Sequence, residues 1–152
     1  MKKILLILFG ALLLVGCTSK NIVIDLDAVD REIKETEELF GALVKPSKDN
    51  LKTYYNIDTT LFEEYSINLP MMNTQANMYM IVKPKKGKED EVEKMLDDYI
   101  YSVEDTFKTY LVDQAKLADN ALEEDEGDYM IYIISLNNQD VYNIIKKHIT
   151  KK

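Results

Sequence analysis

The chain has 152 residues, with 19 Lys and Arg against 27 Asp and Glu, one cysteine, one histidine and a formal net charge of −8. A single cysteine excludes an intrachain disulfide, and His148, the lone histidine, excludes a metal centre built on paired imidazoles. The acid excess, with no basic patch to displace counterions from phosphates, argues against nucleic acid as a partner and sets the chain as a whole against anionic lipid headgroups.

At the N-terminus, Met1-Lys2-Lys3 precedes an apolar run from Ile4 to Val15, interrupted only by Gly10. A short positive segment, an apolar stretch and a small-residue end make a secretory signal. The run is too short for the ~20 residues that a membrane-spanning helix needs. It ends in Leu14-Val15-Gly16-Cys17, which resembles the bacterial lipobox. That resemblance implies cleavage between Gly16 and Cys17, a diacylglyceryl thioether on the Cys17 sulfur, and fatty acylation (palmitate) of the new amine. Two acyl chains anchor stably where one binds only marginally, and lipidation removes the exposed thiol as an oxidation target. The expected organisation is residues 1–16 as signal peptide, 17–21 as lipidated cysteine and short tether, and 22–152 as one folded domain. Loss of Lys2 and Lys3, with no acid among residues 1–16, takes the formal charge from −8 to −10. Thr18 to Asn21 reach about 14 Å at ~3.5 Å per residue, so the domain is expected close to the membrane.

Residues 22–26 suggest a short strand or lead-in, and Asp27 an N-cap for a helix from about Ala28 to Leu39 with a thin apolar face. Pro46-Ser47 opens a second short helix, with Ser47 as cap and Leu51, Tyr54 and Tyr55 on one face. Residues 64–69 alternate strictly and predict a strand with one buried face, ended by Pro70. Met78 to Val82 are apolar on both faces, up to Pro84, and Lys85 to Lys88 form a turn. Val92, Leu96, Ile100, Val103, Phe107 and Leu111 recur at helical spacing and predict one long helix from about Glu89 to Val112, with three acids in its first turn. Asn120–Glu123 and Tyr129–Ser135 read as strands around a turn at 125–128, where Gly127 supplies positive φ. A last helix from about Gln139 to Ile149 has Val141, Ile144, Ile145 and Ile149 inside.

The order α-α-β-β-α-β-β-α lacks regular βαβ alternation. It predicts a single α+β domain: a small, mostly antiparallel sheet packed by the long helix and the C-terminal helix. Those two helices are expected on one sheet face, with the N-terminal helices or a second copy of the chain over the other.

Four stretches carry a family resemblance: Pro70-Met71-Met72 before a strand, Lys86 to Val92 opening the long helix, Tyr110 to Gln114 closing it, and Gly127 to Ser135. Together with the lipobox they resemble the bacterial family of the domain of unknown function 4358. The resemblance implies small lipoproteins of Gram-positive, clostridia-like bacteria and carries no activity and no catalytic residues.

Candidate chemistry is sparse. His148 sits among lysines in the last helical turn and reads as a solvated, dipole-favoured surface residue. Ser66, Ser102 and Ser135 have no histidine partner for nucleophilic catalysis, and five glycines leave little room for a phosphate loop. Glu123 to Asp128 could offer oxygens to Ca²⁺, but the spacing is not that of an EF-hand, so a solvated acidic hairpin turn is expected. Asp97 and Asp98 are expected on the wet side of the long helix. The ten tyrosines are the feature that most suggests recognition, with Tyr79 and Tyr132 among Met78, Met80 and Met130 on two strands; ordinary core packing is the rival reading.

The sequence therefore predicts a lipid-anchored lipoprotein on the outer face of the cell membrane that acts as a non-enzymatic interaction module. It would bind a protein partner at the envelope, with no cofactor and no metal; homo-oligomerisation stays open. The alternative is a small-ligand or peptide-binding lipoprotein using a sheet face around Tyr79, Met130 and Tyr132. A carboxylate-only envelope hydrolase is the third reading, and needs two acids facing across a cleft.

Overall fold

The computed structural model describes residues 21–36 and 40–151. The signal segment, Gly16 and Cys17, tether residues 18–20, residues 37–39 of the expected first helix, and Lys152 lie outside the described residues. In chain order the elements are β1 Ile22–Ile24, α1 Leu26–Lys34, β2 Leu43–Val44, α2 Lys48–Tyr55, a 3₁₀ turn Thr59–Leu61, β3 Phe62–Pro70, β4 Met78–Pro84, α3 Glu89–Phe107, α4 Val112–Asp119, β5 Leu122–Glu126, β6 Tyr129–Ile134, α5 Asn138–Lys147 and β7 Ile149–Lys151. The fold is α+β, with an antiparallel five-stranded sheet in the order β2-β3-β4-β6-β5 and a two-stranded ribbon of β1 and β7.

Successive strand residues point to opposite faces, and both faces of this sheet are covered. Ile67, Leu69, Met78, Met80, Val82, Tyr132 and Ile134 pack with Leu51 of α2, Val92, Leu96, Ile100 and Phe107 of α3, and Ala115 and Ala118 of α4. Tyr79, Ile81, Tyr129, Ile131 and Ile133 pack with Val29 and Ile33 of α1 and Val141, Ile144 and Ile145 of α5. The long helix and the last helix therefore lie on opposite faces, not on one as expected. Strands β4 and β6 are apolar on both faces, so the apolar helix stripes divide between them.

Other boundaries shift for local reasons. α1 begins at Leu26 because Asp25, not Asp27, is its cap, accepting from the Ala28 N–H at 3.0 Å. It ends at Lys34, since Val29 and Ile33 are its only buried residues. The long helix stops at Phe107, and the chain turns and re-enters helix at Val112. Tyr110 and Val112, expected on a continuing stripe or at its end, are exposed, whereas Ala115 and Ala118 of α4 reach the core. Gln114 fastens α4 to the β3–β4 loop by accepting from the Ala76 N–H at 2.8 Å. Ile149 lies in β7, a strand the sequence reading missed, and not on the last helix.

The acidic run proves to be a strand. Glu123 to Glu126 belong to β5, and the hairpin loop is Gly127-Asp128 alone, between the paired residues Glu126 and Tyr129. Gly127 has φ 61°, the first-position geometry that a two-residue hairpin reserves for glycine. β5 is a sheet edge, and a row of exposed carboxylates is one way to discourage another strand from adding there. The opposite edge, β2, is only two residues long.

Candidate functional site

Strand β3 turns Ile67 and Leu69 to the α3 side, so Ser66 and Asn68 face α1. Both are buried, and so is Tyr79, which lies opposite Asn68 on β4. Asp30 of α1 descends onto this polar surface. Its Oδ1 accepts from Ser66 Oγ at 2.7 Å, from the Tyr79 hydroxyl at 2.7 Å and from Asn68 Nδ2 at 3.3 Å. Asn68 Nδ2 also donates to Ser66 Oγ at 2.9 Å, and Lys45 Nζ donates to Asp30 Oδ2. A carboxylate whose side chain is only 14% exposed is thus held by one cation and three neutral donors, which is what a charge this far from water requires. Burial first, and then the hydrogen bond to Asp30, pushes the Tyr79 hydroxyl well above its ordinary pKa, so it stays a proton donor.

Beside this node opens a cleft of about 410 Å³, a size suited to a small organic molecule. Asp30, Asn68 and Tyr79 supply its polar groups, Ile33, Phe40, Ala42 and Leu43 its apolar wall, and Lys34 and Lys45 its positive charge. The Phe40 ring tilts at 55° against that of Tyr79, with centroids 5.5 Å apart. Gly41, at φ 69°, turns the chain between Phe40 and β2. The arrangement can hydrogen-bond and charge-match a ligand.

Of the residues singled out by sequence, only Tyr79 is in this site. Tyr79 pairs with Ile133 across β4 and β6, so Tyr132, one residue earlier, points to the other face. There Tyr132 is 4% exposed and donates to Asp97 Oδ1 at 2.7 Å, and Met130 packs partly buried against the same core. Tyr79, Met130 and Tyr132 therefore do not share a binding face, and the domain's own helices cover both tyrosines. Asp97 is not simply solvated as expected, because it receives that hydroxyl.

The tyrosine excess has a common explanation. Tyr129 donates to Glu64, and Tyr142 donates to Glu126 at 2.6 Å. With Tyr79–Asp30 and Tyr132–Asp97 this makes four hydroxyl–carboxylate pairs between different elements. In each, burial and then the bonded carboxylate raise the tyrosine pKa. Tyrosine offers a large apolar ring with a polar tip that must find a partner when buried.

The remaining candidates settle into structural roles. His148 is the C-cap of α5; its Nε2 lies 2.7 Å from Glu32 Oε2, and Lys147 bonds Glu32 Oε1 at 2.6 Å. His148 therefore ties α5 to α1 instead of sitting alone in solvent. Lys147 first, then His148, lowers the Glu32 pKa. Ser102 Oγ donates to the Tyr99 carbonyl at 2.7 Å, and Ser135 Oγ to Asn138 Oδ1 at 3.0 Å at the start of α5. Burial, then Asp97 and Glu93, raises the Glu123 carboxyl. Among the described residues no group of three or more His, Cys, Asp or Glu side chains could hold a metal ion, and no helix is long and apolar enough to cross a membrane.

Asp30, Lys45 and Asn68 escaped the sequence reading. The usable signal was indirect: β4 is apolar on both faces, so the neighbouring face of β3 is covered too, and Ser66 and Asn68 on it need partners.

The family model described as Domain of unknown function (DUF4358) matches residues 37–135. No curated protein and no solved structure matches the chain.

Proposed function

The chain belongs to the DUF4358 family, and because that description assigns no activity, we propose a function from the residues themselves: a lipid-anchored, non-catalytic interaction module on the outer face of the cell membrane. The observation that carries this reading is the Leu14-Val15-Gly16-Cys17 motif directly behind a charged and apolar leader, with folded chain beginning at Ile22. Only residues 18–21 separate Cys17 from β1, so any partner meets the domain within about 14 Å of the bilayer. The non-catalytic part is supported by Ser66, a hydroxyl bonded to a carboxylate but 2% exposed beneath α1, where no substrate carbonyl can approach.

The experiment is incorporation of labelled fatty acid, with fractionation, for wild type and Cys17→Ala. The expected result is a labelled, membrane-bound mature wild type and an unlabelled, uncleaved variant; normal labelling of Cys17→Ala would refute the anchor.

A second reading, binding of a small ligand, rests on the Asp30 cleft in place of the Tyr/Met sheet face. Its apolar wall beside Lys34, Lys45 and the Tyr79–Asn68 polar surface favours an organic acid with an apolar body.

A further inference from the structure

The last ten residues, Asn143 to Lys152, contain Lys146, Lys147, Lys151 and Lys152 and no acid, in a chain with 27 acids. The fold returns this stretch to the start of the domain. β7 pairs antiparallel with β1 in the register Ile22↔Lys151, Val23↔Thr150 and Ile24↔Ile149. The Asp25 N–H donates to the His148 carbonyl at 3.1 Å and continues the pairing into α1. Lys151 therefore lies directly across from the residue that follows the tether, and Lys20 precedes that residue in sequence.

We propose that the β1–β7 ribbon and the C-terminal end of α5 form a membrane-contact surface for anionic lipid headgroups, working with the acyl chains on Cys17. The inference rests on the lipid-anchored reading above. Two arguments commit the surface to a lipid bilayer. The chain between Cys17 and Ile22 is too short to let this end leave the membrane's vicinity. Charge complementarity supplies the second, since juxtamembrane lysines are attracted to an anionic surface within roughly a Debye length, ~8 Å at physiological salt. The net charge of −8 hides this, because the acids lie elsewhere or are engaged. Glu32 is held by Lys147 and His148, Asp25 caps α1, and Asp27 sits in the first turn of α1, where the helix dipole favours it. Lys146, 4.4 Å from the Tyr142 ring centroid, and Lys151 are both exposed.

The test uses the lipidated protein carrying Thr150→Cys. The thioether on Cys17 leaves the new thiol as the only one to label with a fluorophore. The protein is reconstituted into vesicles of phosphatidylcholine alone or with phosphatidylglycerol, each containing a headgroup-borne quencher. The expected result is stronger quenching in the anionic vesicles, relieved by 1 M salt. In Lys146→Gln/Lys151→Gln the headgroup-bound population should fall about five-fold for each lysine removed. Equal, salt-independent quenching in both vesicles would overturn the proposal. So would release by a soluble polyanion without any preference for anionic vesicles, which would reassign the lysines to an acidic wall polymer. Fatty acid labelling on the same samples separates the two levels: an unlabelled protein removes the anchored reading and this inference with it, whereas a labelled protein without anionic preference removes only this inference.

Discussion

Replacing Asp30 by alanine tests whether the node beneath the cleft holds α1 to the sheet. The substitution removes the acceptor shared by Ser66, Asn68 and Tyr79. Ser66 and Asn68 keep the bond between them, so the main orphan is the Tyr79 hydroxyl, on a residue that is 2% exposed. Leaving a buried donor unsatisfied costs about 1–3 kcal/mol, and bonds to a charged acceptor lie at the upper end. Lys45, half exposed, rehydrates and contributes little. The expected loss is about 3 kcal/mol. Tyr79→Phe alone removes one donor from a carboxylate that retains three others, for a loss of about 1–1.5 kcal/mol. In the Asp30→Ala background the hydroxyl has no acceptor left, so the same change becomes neutral or stabilising, a coupling of about 1–2 kcal/mol. Urea unfolding of the four proteins reads these values as shifts in midpoint at constant m, with m of about 1–3 kcal/mol/M. An Asp30→Ala loss below about 0.5 kcal/mol, additive with Tyr79→Phe, is surface behaviour and would refute the argument.

Leu96→Asp, at a fully buried position of α3, should abolish the cooperative thermal transition, whereas Asp98→Ala, on the wet side of the same helix, should change stability by less than about 0.5 kcal/mol. Tyr79, Tyr99, Tyr129, Tyr132 and Tyr142 all have raised hydroxyl pKa values. Their contribution is therefore complete below pH 10 and lost as pH rises past it, and tyrosinate absorbance should show these five ionising only in a late step that coincides with loss of near-ultraviolet circular dichroism. Asp58 caps the 3₁₀ turn, and Thr60, then Lys52, lowers its pKa from 3.8 to about 2. That contribution is present above pH 3.8 and lost as pH falls toward 2, so Asp58→Asn should flatten the acid limb of melting temperature against pH between those values.

The fold was legible wherever burial is periodic. α3 announces itself through Val92, Leu96, Ile100 and Phe107, and β4 through an unbroken apolar run bounded by Pro84. Legibility failed where the same apolar residues serve a turn. Tyr110 and Leu111 continue the helical spacing past Phe107, but the period of a sequence does not record where the backbone changes direction. β7 was invisible for a related reason. Ile149-Thr150-Lys151 is too short to show alternation, and it is a strand only because β1, over a hundred residues earlier, pairs with it.

The site was harder to see because its signal inverts the usual rule. Ser66 and Asn68 on the polar side of an alternating strand are the ordinary mark of a solvated face, and nothing within β3 says otherwise. What buries them is α1, whose Asp30 adjoins Val29 in a helix with a thin apolar stripe. Hydrophobic pattern alone gives such a helix weak reason to dock; a carboxylate that satisfies three donors at once gives it a specific one. Had the face of β3 been apolar, α1 could have slid along it at little cost. With Ser66, Asn68 and Tyr79 converging on one oxygen, displacement by a single helical turn breaks all three bonds together. The polar face therefore fixes where α1 sits on the sheet, and with it the wall of the cleft formed by Ile33 and Lys34. That is information carried by a pairing between distant residues, which no window along the chain contains.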